Sequence, residues 1–172
     1  MSPDALRPLF AWMVVGLLVA ETLWSHRNER RLRAQGAREP DGDVYGLMRI
    51  AYPAGFVCAI AEGRLTAGAG AVAAGMVLFA LAKGLKYWAM ASLGERWCFR
   101  VLVPPGSRPV LAGPYRWLRH PNYVAVALEL ASVALVFGAW RSGPVAVAGF
   151  VWLMRRRIRV EERALGYDAH DA

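Results

Sequence analysis

The sequence predicts an all-α integral membrane fold with about five transmembrane helices, and three observations carry that expectation. Of the 172 residues, 56% are hydrophobic and seven are Trp, an apolar and aromatic excess over a soluble domain of this length. The excess sits in long runs, several approaching the roughly 20 residues that cross a hydrocarbon layer. Arg residues gather at the ends of those runs, as in the cytoplasmic loops of membrane proteins.

Taken in order, the runs cover residues 8–24, 45–61, 67–93, 121–139 and 144–154. The first contains the stretch from Leu9 to Ala20 and passes through Glu21 into an Arg-rich segment. Because the positive charge follows the run, it reads as a retained span and not as a cleaved signal peptide. The third is long, with Lys83 and Lys86 placed near an interface, and carries small residues at Ala67, Ala71, Gly75, Ala80 and Gly84. Small residues four apart let helix backbones approach closely in lipid. The fifth run is too short alone and has to continue into Arg155, Arg156 and Arg157. The segment 36–43 is polar and turn-rich, a short linker.

The Arg distribution orients the spans. Arg27, Arg30, Arg31, Arg33 and Arg38 follow the first run; Arg96, Arg100, Arg108, Arg116 and Arg119 follow the third; Arg155, Arg156, Arg157, Arg159 and Arg163 follow the fifth. The other side has Arg7, Arg64 and Arg141. The excess of positive charge marks the cytoplasmic side, so the N-terminus is expected outside and the C-terminus in the cytoplasm of a multi-pass protein, in a bacterial cell membrane to judge by its Ala, Arg and Gly content. The formal charge of +8 is therefore not read as a nucleic-acid footprint, and no helix-turn-helix, zinc or RNA-binding signature accompanies it. Cys58 and Cys98 have neither the number nor the spacing of a disulfide framework or a metal site.

The segment 103–121 concentrates polar chemistry. Pro and Gly punctuate its first half, Gly113-Pro114 forms a turn, and 115–120 reads as a short interfacial helix. Pro121 stands where Pro is tolerated, in the first turn of the fourth span. His120 and Asn122 are then held at the mouth of that helix, where unpaired N–H groups and the positive dipole end suit a carboxylate. Alone, His120 reads as an interfacial histidine with a local hydrogen bond. Arg119 and Tyr123 beside it strengthen a functional reading, because polar groups at a bilayer are costly unless used. Glu129, inside the fourth span, is either a functional carboxylate or a structural partner for Lys83, Lys86 or a Trp N–H on the third. In the tail, Arg157 and Glu161 are four apart and Arg159 and Glu162 three apart. Spacing alone makes that a solvated, salt-bridged helix.

Together, Gly113-Pro-Tyr-x-x-x-Arg-His-Pro-x-Tyr123 and Arg157-x-x-x-Glu161-Glu162-x-x-Leu165 resemble the isoprenylcysteine carboxyl methyltransferase family over residues 83–165. Leu93-Gly-x-x-Trp97-x-x-Arg100-Val and Pro105-Gly resemble its bacterial branch, which includes alkylpyrone O-methyltransferases. The resemblance implies a cytoplasm-facing pocket for S-adenosylmethionine, formed by the C-terminal half between the loop, the last two spans and the tail. It implies that Leu111, Tyr115, His120, Pro121, Tyr123, Glu161 and Glu162 belong to the cofactor site. It makes Arg157 and Glu162 catalytic, with Arg119 and Glu129 assigned to substrate or structure and no metal ligand. The single domain then divides into a two-span segment, 1–66, and a methyltransferase core, 67–172. The implied partners are a lipophilic small-molecule or prenylated substrate and membrane lipids, not nucleic acid. Ala125 stands where the family often has Gly, and the chain stops soon after Gly166-Tyr167.

Three rival readings share parts of the pattern. Membrane sterol reductases have a similar Arg-His-x-x-Tyr element and use NADPH; the pair Glu161-Glu162 favours the methyltransferase. Phospholipid N-methyltransferases have a related motif and a different acceptor. A non-enzymatic scaffold or transporter subunit fits poorly, because spans one to three show no polar path.

Overall fold

The computed structural model describes residues 3–66, 70–107 and 109–165. Ala67, Arg108, Gly166, Tyr167 and His170 lie outside them. Among the described residues the chain forms five α-helices: α1 (Pro3–Ala34), α2 (Tyr45–Leu65), α3 (Val72–Leu93), α4 (Pro121–Phe137) and α5 (Ser142–Leu165). Two 3₁₀ turns, Gly94–Arg96 and Gly113–Arg116, punctuate the long connection between α3 and α4.

α4 is the central helix. Ala125, Val126, Glu129, Leu130, Ser132 and Val133 are all buried on it, and α3, α2 and α5 pack around it. Pro121 starts it at a position that needs no N–H. Gly138 ends it in the left-handed region at φ +67°, its N–H returning to the carbonyls of Ala134 and Leu135. The chain then turns directly into α5, whose first free N–H groups are accepted by the Glu62 carboxylate: Arg141 N at 3.0 Å and Ser142 N at 2.6 Å.

α3 meets α4 through Gly75, where an added Cβ would lie 2.9 Å from the Ser132 carbonyl. Only part of the expected small-residue stripe serves this contact: Ala71 and Ala80 are exposed, and a Cβ on Gly84 would meet nothing. The buried face instead runs Gly75, Phe79, Ala82, Lys86, Ala89. That is the helical repeat of 3.6, from which a strict four-residue stripe drifts away.

α1 is the largest departure from the expected spans. At 32 residues it is roughly 48 Å long at 1.5 Å per residue, well beyond a hydrocarbon layer of about 30 Å. The Arg-rich stretch after Trp24 continues the helix because Arg and Glu are good helix formers. This extension docks through a narrow stripe, Glu21, Ser25, Asn28 and Leu32, each 2% exposed. Asn28 donates to the Trp97 carbonyl at 2.7 Å and Ser25 accepts the Phe99 N–H at 2.7 Å. The following linker is held by an antiparallel bridge between Arg38 and Val103.

Of the five helices, α1 and α3 contain stretches long and apolar enough to cross a membrane. α4 is apolar but shorter, α2 carries Arg49, Glu62 and Arg64, and α5 runs unbroken from the apolar 144–154 segment into Arg155–157. Large apolar side chains project outward, among them Trp12, Val57 and Leu81, an arrangement suited to lipid.

Candidate active site

A cavity of about 310 Å³ opens where the long loop, the start of α4 and the end of α5 meet α1 and α2, within the size range of small-molecule sites. The walls are not confined to the C-terminal half: Thr22 and His26 of α1 and Tyr45, Met48 and Tyr52 of α2 stand in them.

The polar end is built from the first turn of α4 and the last turns of α5. His120 is the residue before Pro121, and Tyr123 lies three residues on, so both side chains face α5. His120 Nε2 is 3.1 Å from Glu162 Oε1, and its Nδ1 is 3.8 Å from Glu161 Oε2. The Tyr123 hydroxyl donates to Glu161 Oε2 at 2.7 Å. Arg119, 58% exposed, approaches Glu162 at 4.0 Å.

Arg157 is 6% exposed and turned inward. Its Nη2 donates to the Phe99 carbonyl, Nε lies 3.6 Å from Asp43 Oδ1, and the guanidinium carbon stands 5.6 Å from the Tyr45 ring and 6.0 Å from the Tyr123 ring. A solvated helix with Arg157 paired to Glu161 is therefore not what forms. Each of the two reaches a different element, because α5 is packed against α2 and α4 on that face.

Tyr115 lines the wall, on a turn that Gly113 permits: φ is +58°, and a Cβ there would collide with the Ser92 hydroxyl. This turn, Gly113–Arg116, replaces the expected helix over 115–120. Burial pushes the Tyr115 phenol well above its usual range, with the Glu161 charge adding to it. Leu111 is turned out, 71% exposed, and is not part of the wall. Pro109 and Val110 stand there instead. Pro121 is buried and fixes the helix start without reaching the cavity; Glu162 reaches it only through His120. Cys98 is in the wall, but burial pushes its thiol up to about 11, so at neutral pH it stays protonated and is a poor nucleophile.

Glu129 lies deeper, fully buried between helices. It accepts from the Tyr52 hydroxyl and stands 3.2 Å from Lys83 Nζ and 3.4 Å from Lys86 Nζ. Both lysines also reach Glu21 of α1, at 2.6 and 2.7 Å. Lys83 and Lys86 are thus 8% and 0% exposed and not at an interface, and α1, α2 and α3 do bring polar groups together in the bundle. Sequence reading missed Glu21, Tyr52 and Asp43. The one available signal was the spacing of Glu21, Ser25 and Asn28 along one face of an otherwise apolar helix.

Residues 73–167 match the isoprenylcysteine carboxyl methyltransferase family model, and the chain belongs to that family of membrane methyltransferases. It is also similar to the uncharacterized protein YpbQ of Bacillus subtilis (strain 168), 31% identical over 166 residues that cover 90% of this chain and 95% of that one.

Proposed function

We propose that this protein is an S-adenosylmethionine-dependent O-methyltransferase acting on a lipophilic acidic acceptor, an isoprenylcysteine-type carboxylate or an alkylpyrone hydroxyl of the kind the family's bacterial branch methylates. The observation that carries the reading is the convergence of Tyr115, His120, Tyr123, Arg157 and Glu161 on one cavity. The Nη1 arm of Arg157 is suited to an anionic acceptor, and the apolar remainder of the wall suits a lipid chain.

The residues present fit the cofactor by chemistry. Glu161 offers a carboxylate to its cationic part, and the positive dipole end of α4 suits its carboxylate. In this reading Tyr115, His120, Tyr123 and Glu161 hold it, Glu162 orients His120 through the 3.1 Å contact, and Pro121 fixes the turn. Bound S-adenosylmethionine supplies the activated methyl carbon and the leaving group. Arg157 holds the acceptor oxygen by charge-assisted hydrogen bonds. An acid of this class is already ionised near neutral pH, so the protein has to orient it and exclude water and does not have to deprotonate it.

The placement that goes with this reading has five spans, the N-terminus outside and the C-terminus in the cytoplasm of a bacterial membrane; reporter fusions at both ends reading on one side would refute it. For the chemistry, the detergent-purified protein is titrated calorimetrically with S-adenosylmethionine, S-adenosylhomocysteine and NADPH. Labelled methyl transfer is then assayed with N-acetyl-S-farnesylcysteine and with a 6-alkyl-4-hydroxy-2-pyrone. Binding of the first two ligands and transfer to one acceptor is expected; binding of NADPH alone would overturn the assignment.

A further inference from the structure

The residues around Arg157 come largely from outside the family-matched region. Asp43, in the linker between α1 and α2, is the carboxylate nearest its guanidinium, with Oδ1 3.6 Å from Nε and a side chain 3% exposed. Asp43 is itself fixed, since Oδ1 accepts the Tyr45 N–H at 3.1 Å at the start of α2. Both Oδ2 of Asp43 and Nε of Arg157 are buried with no hydrogen-bond partner among the described residues. On the other side, the Phe99 carbonyl accepts from Nη2, and the same residue's N–H is held by Ser25 of α1 at 2.7 Å.

Two edges of the guanidinium are thus set by fixed groups. Among the described residues the remaining arm, Nη1, has as its one hydrogen-bond partner the weakly accepting Met48 sulfur at 3.9 Å, and Met48 stands in the cavity wall. A buried guanidinium needs a counter-charge to stay in place, and Glu161 is already engaged by Tyr123. We propose that Asp43 is a positioning residue: it balances Arg157 and turns the Nη1 arm toward the cavity, making the N-terminal segment part of the active site. The consequence for turnover rests on the acceptor-holding role given to Arg157 above; the pairing itself does not.

The test uses the full-length protein in detergent. Asp43→Asn keeps shape and removes charge; Asp43→Glu keeps charge. Asp43→Asn is expected to lower turnover by about 10- to 100-fold at saturating substrate, the range for a misplaced catalytic group. The KM for S-adenosylmethionine stays near the parental value, and Asp43→Glu recovers most of the turnover. Adding Asp43→Asn to Arg157→Ala has no further effect on rate, because the two act as one unit. Parental turnover per folded molecule in Asp43→Asn, or losses that multiply in the double variant, would overturn the proposal. A melting-temperature cycle over Asp43→Asn, Arg157→Met and the pair is read alongside. Non-additive shifts support the pairing and additive shifts overturn it, whatever the acceptor. A parent that methylates neither probe acid would count against the proposed function, and the melting cycle would still decide the pairing.

Discussion

Two polar regions lie in this molecule, and they are built differently. The deeper one joins Glu21, Lys83, Lys86 and Glu129 from three helices, two carboxylates against two ammonium groups at 2.6–3.4 Å, each 8% exposed or less. The shallower one joins Asp43, His120, Tyr123, Arg157, Glu161 and Glu162 around an open cavity, with contacts from 2.7 to 3.8 Å; among the described residues two of its buried atoms, Asp43 Oδ2 and Arg157 Nε, have no hydrogen-bond partner, against one, Glu129 Oε1, in the deeper cluster. The first is closed and balanced, as a group of charges must be to persist away from water. The second is held at its edges and left incomplete at its centre, as suits groups that have to meet a ligand. Charge buried in a bundle is therefore not by itself a mark of function; what separates the two regions is that one balances its carboxylates and ammonium groups between helices and the other sets its charged groups around a cavity.

The comparison is broken most severely by unbalancing the deep cluster. Lys86→Met leaves Glu21 and Glu129 sharing Lys83, and removing one partner of a buried ionic group costs about 3–5 kcal/mol, a large part of a typical 5–15 kcal/mol. Folded protein recovered from membranes is expected to fall sharply. Lys86→Met combined with Glu129→Gln restores neutrality and keeps an acceptor for Tyr52, so much of the yield is expected to return. Equal melting temperatures for parent and Lys86→Met would show that the cluster carries no such weight.

In the shallow region the same kind of change should appear in turnover per folded molecule, beyond whatever stability is lost with the buried pair Asp43 and Arg157. Arg157→Ala is expected to lower methyl transfer on the order of 100-fold with cofactor affinity roughly kept, while Glu162→Ala, which releases His120, weakens cofactor binding too. Steady-state kinetics with calorimetry separates the two; parental turnover in both would remove them from the site.

The contrast also explains what could be read from the chain. Pro121, the Gly138 terminus and the unbroken run through Arg155–157 are local signals, and α4 and α5 follow from them. His120, Tyr123, Glu161 and Glu162 were singled out by the resemblance through two short motifs, and they do meet at one end of the cavity; the spacing of the tail alone read as a solvated helix. Glu21 was not singled out, since its partners lie 62 and 65 residues away and a single carboxylate in an apolar run looks like the edge of a span. Asp43 sits in a polar linker whose composition reads as solvated, yet its side chain is 3% exposed beside Arg157, which lies far along the chain on α5. Leu111 was assigned to the cofactor site by the resemblance alone; its side chain is 71% exposed, and Pro109 and Val110 line the cavity beside it.

His120→Ala sharpens the comparison at smaller scale. The residue is at a helix mouth and leaves no large core cavity, so the protein is expected to fold. The affinity for S-adenosylmethionine should weaken by about 10-fold, or roughly 1.4 kcal/mol. Unchanged affinity by calorimetry would make the Glu162 contact merely structural.

The smallest effect is expected from a third set of charges, the collar outside both regions. Arg31 pairs with Glu95 across α1 and the first 3₁₀ turn, with side chains 42% and 65% exposed. The contact is short, yet Coulomb attraction between unit charges in water amounts to only about 1 kcal/mol at 4 Å. Holding two long side chains in one geometry offsets much of that, and salt screens the rest. Glu95→Gln is therefore expected to change stability by a few tenths of a kcal/mol, with turnover unaltered and the small difference fading as salt is raised. Asn28, which holds the neighbouring backbone at the Gly94 and Trp97 carbonyls, keeps the turn in place without the ion pair. A melting shift as large as that of Lys86→Met would mean that exposure does not rank these charges, and the division between closed, open and solvated groups would fail.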